Sequence, residues 1–400
     1  MSRKRSRKLS PQTVAVIGAG FDDWTGASAP DIVMSNNFAA GADMPFSAEA
    51  LGADTPLTYT RWDNPNINRL EAQLAVLEGG EAAVCFASGM AAANGLLAAV
   101  LAPGDHMLVG EVVYPGVLEL SASLAATGIA ASRVDMADPA AVAAAMRPNT
   151  RLVHIESPAN PILKLTDIRA IAAIAKGQGA RLSVDSTFAT PAATRPLELG
   201  ADLVLHSLSK YLGGHGDSLG GAVIGRAADL VPIRKKGVIH MGGVISPFNA
   251  WLISRGLASF HLRMPAHADN ALKLARWLED DRRIEAVYYP GLASHPQADL
   301  ARRQMDSFSG MIAFRTREAG QAVAARLAEK LRVIHYAVSL GHHRSLIFYV
   351  ATDDMQRTTY RFDEAGLARY RDWAGDGVFR FSVGLEDPGD LIADLDAALG

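Results

Sequence analysis

The sequence predicts an α/β fold, a mostly parallel sheet covered by helices, followed by a smaller α+β unit. Three observations predict it. Between about residues 63 and 257, short apolar runs alternate with helical patterns, as strand–helix–strand units require. After about residue 257 helices and strands are interspersed without that alternation. The 400 residues, 49% hydrophobic and 20% charged, are enough for two domains with a large core. The expected division is an arm over 1–62, an α/β domain over 63–257 and an α+β domain over 258–400.

Residues 1–62 show no clear periodicity and read as an extended arm. Arg3, Lys4, Arg5, Arg7 and Lys8 form a basic run with no apolar stretch behind it, so a secretory signal is not expected. Five charges on a chain of net charge −3 read as a solvated tail rather than a nucleic-acid surface. "VAVIGAGFDD" (Val14–Asp23) begins like a dinucleotide fingerprint, but its third glycine position is Asp23 and no strand–helix–strand unit follows.

From residue 63 the elements are clearer. "NRLEAQLAVLEGG" puts Leu70, Leu74 and Leu77 on one helix face and closes with Gly79. "HMLVGEV", "RLVHIES", "RLSVDST" and "ADLVLHS" read as short buried strands. Between two of them, "TDIRAIAAIAKGQG" reads as a helix capped by Thr166, with Ile168, Ile171 and Ile174 inward. The sequence shows no run of 18 apolar residues, so no membrane span is expected. Cys85, the single cysteine, excludes an internal disulfide and fits a reducing cytoplasm. Its apolar setting reads as buried packing rather than a reactive thiol. No metal site is assigned.

The chemistry gathers where strands end. Lys210 follows "ADLVLHSLS" and precedes "YLGGHGDSLGG". Ligands of open α/β sheets bind outside the carboxyl ends of strands. Glycines let the backbone come close to a ligand, and Ser207 and Ser209 bring hydroxyls suited to a phosphate. A lysine there can form a Schiff base with an aldehyde cofactor, of which pyridoxal phosphate is the common one. That cofactor needs an acid at its ring nitrogen, which Asp185 at the end of "RLSVD" supplies; the ordinary alternative for Asp185 is a turn cap. Ser88, Gly89 and Met90 open a helical run whose N–H groups suit a phosphate. Tyr114 follows another strand and reads as a ring-face group or a core aromatic.

With these residues in place the chain resembles the pyridoxal-phosphate enzymes of cysteine and methionine metabolism. These include methionine γ-lyase, cystathionine γ-lyase and γ-synthase, and the O-acylhomoserine sulfhydrylases. The resemblance runs from about Ala27 to the end. It is carried by "YTRWDNPNINRLEAQLAVLEGGEAAVCFASGMAA", "ESPANPILKLTDI", "VDSTFATPAATRPLELGADLVLHSLSKYLGGHGDSLGGAVIG" and "FRFSVGLEDPGDLIADL". It implies an aminotransferase-like fold, fold-type I, in a homotetramer of tight dimers with shared sites. It implies Lys210 as the Schiff-base lysine and Asp185 at the pyridine nitrogen. Gly89, Met90, Ser207 and Ser209 would hold the phosphate, with Tyr59 and Arg61 reaching the phosphate of a neighbouring subunit. Tyr114 would stack on the ring and shuttle a proton, and Asn160 would approach the ring hydroxyl. Ser339 and Arg380 would bind the substrate carboxylate, for which a planar guanidinium suits a bidentate pair.

The reaction implied is α,γ-elimination on an L-amino acid substituted at Cγ, as in methionine γ-lyase. Val338 stands where cystathionine lyases commonly carry a glutamate, but Gly116 stands where methionine γ-lyases usually carry a cysteine. "SLGHHRSLIFYVATDDM" departs further, with His342, His343, Arg344, Tyr349, Asp353 and Asp354. It reads either as a remodelled surface or as a pocket for a polar or cationic leaving group, with Asp353 or Asp354 as partner of a guanidinium. A canavanine-cleaving lyase and a γ-replacement synthase using an O-acylhomoserine remain alternatives.

Overall fold

The computed structural model describes residues 9–18, 27–39, 41, 47, 56–358 and 360–400. The basic run at the N-terminus and part of the Val14–Asp23 stretch therefore lie outside the described residues. The arm is not simply extended. Pro11–Ile17 (α1) is a helix, started by Ser10, whose side chain accepts from Thr13 N–H, and by Pro11 in the first turn. It docks on Pro65–Glu78 (α2): Arg69 Nη2 donates to Ile17 O at 2.7 Å and Gln73 Nε2 to Ala15 O at 3.1 Å. Seven residues are too few for an apolar periodicity to show. The same helix occupies the stretch that a dinucleotide fingerprint would need as a strand.

The opening of α2 is fixed by Asn64, whose side chain accepts from Asn66 N–H, and its end by Gly79 at φ 73°. Leu70, Leu74 and Leu77 are buried, as their spacing predicts. The strands that follow are Ala82–Phe86 (β1), His106–Gly110 (β2), Ala130–Val134 (β3), Thr150–Glu156 (β4), Arg181–Asp185 (β5), Leu203–Ser207 (β6) and Gly221–Gly225 (β7). They form one sheet in the order β1-β7-β6-β5-β4-β2-β3. β2 to β6 run parallel, while β7 is antiparallel to both β6 and β1. Leu152, Val153, Ile155, Leu182, Val184 and Leu203–Leu205 are buried in its middle, as a sheet covered on both faces demands.

Helices Gly89–Val100 (α3), Pro115–Ser123 (α4), Pro139–Ala145 (α5) and Ile168–Gly177 (α6) connect the strands. The cap of α6 is Asp167 rather than Thr166: its carboxylate accepts from Ala170 N–H at 3.1 Å. Thr166 is instead buried, its N–H given to Ser157 Oγ at 3.2 Å. The second sheet contains Ile284–Tyr288 (β8), Met311–Thr316 (β9), His335–Tyr336 (β10), Leu346–Ala351 (β11) and Gly377–Ser382 (β12), ordered β10-β11-β12-β9-β8. Phe314, Phe379 and Phe381 lie in its buried cluster. No helix among the described residues is long and apolar enough to cross a membrane.

Candidate active site

Strand polarity builds the site. β4, β5 and β6 are parallel neighbours, so their C-terminal residues Glu156, Asp185 and Ser207 arrive at one edge, with Glu156 registered against Asp185. Lys210 follows in a tight turn, its N–H on Ser207 O at 3.3 Å and its carbonyl accepting from Gly214 N–H at 2.7 Å. Its amine donates to Ser339 Oγ at 2.7 Å. Burial, helped by the nearby Arg380 cation, lowers the Lys210 ammonium to about 8. A proton is therefore easily lost there.

Asp185 is buried, and its Oδ1 accepts from Thr187 N–H at 3.0 Å. It is thus a turn cap and also a carboxylate at the strand edge; the two roles use different lone pairs. Burial raises its pKa, against the pull of the Thr187 hydrogen bonds and of His206. A cation placed beside it would hold it ionised.

The α3 N-terminus faces the same edge. Ser88 caps it through Ala91 N–H at 3.1 Å, leaving the Gly89 and Met90 N–H groups in the first turn, where anions are favoured. A Cβ on Gly89 would stand 3.0 Å from Ser207 Cβ, and one on Gly221 only 2.2 Å from Ser88 O. The helix start is thereby drawn against Ser207. The Ser209 hydroxyl lies at the same turn and is engaged by the Gly220 backbone, at 3.3 Å to its carbonyl and 3.1 Å from its N–H. A lysine amine, a strand-end carboxylate and a glycine-lined helix N-terminus are the donor set that pyridoxal phosphate requires, and the residues fit that cofactor.

Tyr114 opens α4 and is 48% exposed, so it is a surface of the cleft and not a core aromatic. A Cβ on Gly116 would come within 3.0 Å of its ring and 2.8 Å of Met90 Sδ, which places the ring beside the α3 start. Glu156, not singled out from the sequence, ties the cleft together. Its Oε2 accepts from Tyr114 N–H at 2.6 Å and its Oε1 from Asn160 N–H at 3.0 Å. Asn160 Oδ1 accepts from Arg380 Nη1 at 3.1 Å, and Arg380 Nη2 donates to Ser339 O at 3.0 Å. Both of these Arg380 bonds run to neutral oxygens, so the guanidinium keeps its charge for an incoming carboxylate. Ser339 holds φ 84°, a left-handed conformation uncommon for serine.

Lys210, Asp185, Gly89, Met90, Ser207, Ser209, Tyr114, Asn160, Ser339 and Arg380 are thus gathered around one cleft. Tyr59 and Arg61 are not joined to it. Arg61 lies over the Tyr59 ring at 5.3 Å, Tyr59 is exposed, and among the described residues neither side chain hydrogen-bonds the Lys210 cluster. The expectation that Asp353 or Asp354 faces the pocket is corrected. Asp353 pairs with Arg371 at 2.8 Å and Asp354 with Arg357 at 3.3 Å, both aspartates 72% exposed. Both lie past the C-terminal end of β11, and their partners among the described residues are these arginines and not the Lys210 cluster. His342, at the near end of that run, stays: its Nε2 is 3.2 Å from Ser339 Oγ. Cys85 is buried, with its thiol pushed upward by burial, in keeping with a packing role.

Known proteins are similar to this chain over nearly its whole length. The family described as Cys/Met metabolism PLP-dependent enzyme matches residues 12–400. A canavanine gamma-lyase of Pseudomonas canavaninivorans is 43% identical, over 99% of this chain and 98% of its own length. An L-methionine gamma-lyase of Pseudomonas putida is 42% identical, over 98% of both chains. The crystal structure of cystathionine gamma synthase from Xanthomonas oryzae pv. oryzae, in complex with aminoacrylate and cysteine, superposes with TM-score 0.87 at 38% identity, covering 98% of each chain.

Proposed function

Because this chain belongs to the Cys/Met metabolism PLP-dependent enzyme family, we propose that it is a γ-lyase performing α,γ-elimination on an L-amino acid substituted at Cγ. The observation that carries this reading is the half-buried Arg380, bonded to Asn160 and Ser339, beside the depressed Lys210 amine. One group takes an α-carboxylate, and the other is poised to take the proton from the adjacent carbon.

Lys210 is the proposed attachment point of the cofactor. Asp185 would pair with the ring nitrogen, and the Gly89 and Met90 N–H groups with Ser207 and Ser209 would hold the phosphate. When bound, pyridoxal phosphate supplies the electron sink for the pair released at Cα. The rest is the work of side chains. Arg380 fixes the carboxylate bidentately, which sets the Cα–H bond toward Lys210. The Lys210 amine takes the Cα proton and then one from Cβ. Tyr114, held by Glu156 through its backbone, gives a proton to the departing group. Asn160, anchored by the same Glu156, would hydrogen-bond the ring hydroxyl. Exposed Tyr59 and Arg61 are proposed to serve the phosphate of a second subunit in a cytoplasmic homotetramer, with the arm 1–62, the α/β domain 63–257 and the α+β domain 258–400 as its working parts.

A second reading is favoured by the canavanine gamma-lyases at 43% and 42% identity. In it the substrate is canavanine, and water ends the reaction as homoserine and hydroxyguanidine. Assays with methionine, canavanine, cystathionine and O-acetylhomoserine, with and without a thiol acceptor and read by mass spectrometry, test both readings. 2-Oxobutanoate from a γ-substituted substrate without acceptor supports elimination. Homoserine plus hydroxyguanidine supports the second reading, and product only with the thiol present identifies a γ-replacement synthase.

A further inference from the structure

His342 stands one hydroxyl away from the amine that acts as base. Lys210 Nζ donates to Ser339 Oγ at 2.7 Å, and that oxygen lies 3.2 Å from His342 Nε2. The histidine's backbone is pinned on several sides. Gly341 N–H donates to Ser382 Oγ at 2.8 Å, His343 N–H to Gly214 O at 3.0 Å, and Leu385 N–H to His343 O at 2.8 Å. The ring lies against the glycine loop: a Cβ on Gly216 would come 2.7 Å from His342 Nδ1, and Gly216 takes φ 71°. Glycine is needed there both for the turn and for the imidazole.

Two proton removals by one amine pose a problem. Lys210 must discharge the first proton before it can take the second. We propose that His342 is a positioning residue for Lys210 that accepts this proton through the Ser339 hydroxyl and releases it toward solvent. The proposal rests on the elimination reading. The Lys210 amine takes the α-hydrogen as a proton, the C–H electron pair staying with the substrate. One ammonium hydrogen then passes to Ser339 Oγ as the serine's own hydroxyl hydrogen passes to His342 Nε2. Lysine returns to the neutral amine and serine to the alcohol, and the imidazolium loses a proton to water.

The surrounding charges keep His342 ready to accept. Lys210 faces it from the turn after β6, with Arg380 of β12 beyond. His343 adjoins it in the chain and lies 5.9 Å, ring to ring, from His215. Asp217 faces it from the glycine loop. Burial first, then the Lys210 and His343 charges, hold the imidazole below its ordinary range, against Asp217. Above that range His342 is neutral and can accept a proton; once protonated it cannot. Relay function is therefore lost as pH falls.

The test uses L-norleucine, which has no leaving group at Cγ, so that only proton exchange is read. The holoenzyme is incubated with it in D2O, and α-hydrogen exchange is followed by NMR against pH. The wild type should exchange with an acid limb below the usual histidine value of about 6.5, and His342→Gln should slow exchange about tenfold or more and flatten that limb. Cofactor absorbance should be unchanged. Diethyl pyrocarbonate applied to the wild-type holoenzyme needs no variant. Peptide mass spectrometry should show His342 carbethoxylation titrating at that same pH, with exchange lost in proportion. Exchange at the wild-type rate with the limb intact, in the variant or after carbethoxylation, would overturn the relay. No exchange in the wild type at any pH would overturn the elimination reading, and the relay with it.

Discussion

The two ends of one charge-rich run, Gly341 to Asp354, meet opposite fates. At the near end His342 is folded against the glycine loop and touches Ser339. At the far end Asp353 and Asp354 sit in solvent on Arg371 and Arg357. Both ends are polar and both follow Ser339 within fifteen residues of sequence. What separates them is β11, which is paired along its whole length with β12 and turns a short separation in sequence into a long one in space. Polar composition beside a site is therefore no measure of membership in it; strand direction decides.

That contrast is sharpened by variants ordered from the strand edge outward. Lys210→Ala removes the proposed attachment point and base together. Steady-state turnover should fall by about 10³ or more, at the upper end of what a positioned general base supplies. Asp185→Asn keeps the turn cap and removes the charge. Turnover should drop about tenfold to a hundredfold, the scale of a charged hydrogen bond, with bound cofactor measured by absorbance changing far less. Equal losses of both would reduce Asp185 to a structural cap.

Arg61→Ala addresses the pair that the fold leaves outside the cleft. Cofactor retention should weaken about tenfold, the value of a single lost phosphate contact. Mixing this variant with Lys210→Ala subunits should restore part of the activity, because one site of each mixed dimer then holds both residues. No recovery despite subunit exchange would place Arg61 in its own chain's site. Asp353→Asn and Asp354→Asn should be the smallest of all. Exposed ion pairs contribute at most about 1 kcal/mol, and kcat/KM for methionine and canavanine should both stay within about twofold. A selective loss for canavanine would return the far end of the run to the pocket.

The parts of the fold readable from sequence were those in which one physical demand dominates. Buried parallel strands must be apolar throughout, so β4, β5 and β6 stand out, and with them Asp185 and Lys210 at their ends. Glu156 ends β4 just as Asp185 ends β5; the same signal, an acid closing a buried apolar run, was present and unused. α1 was missed because seven residues give no period, and the cap of α6 moved by one residue because Thr166 and Asp167 are both good caps. The cluster of Ser339, His342 and Lys210 depends on a left-handed serine and on a glycine loop more than 120 residues earlier in the chain, and neither is written in local pattern. The strand that carries Asp353 and Asp354 outward was likewise hidden, because proximity in sequence says nothing of direction.

The central claim is that pyridoxal phosphate is held by the lysine at the end of β6. Borohydride reduction of the holoenzyme fixes the cofactor covalently to its lysine, and peptide mass spectrometry then finds it. The expected result is a single phosphopyridoxyl adduct on Lys210, in the peptide containing Tyr211. An adduct on Lys164, Lys235 or Lys236 instead, with Lys210 unmodified, would contradict the account.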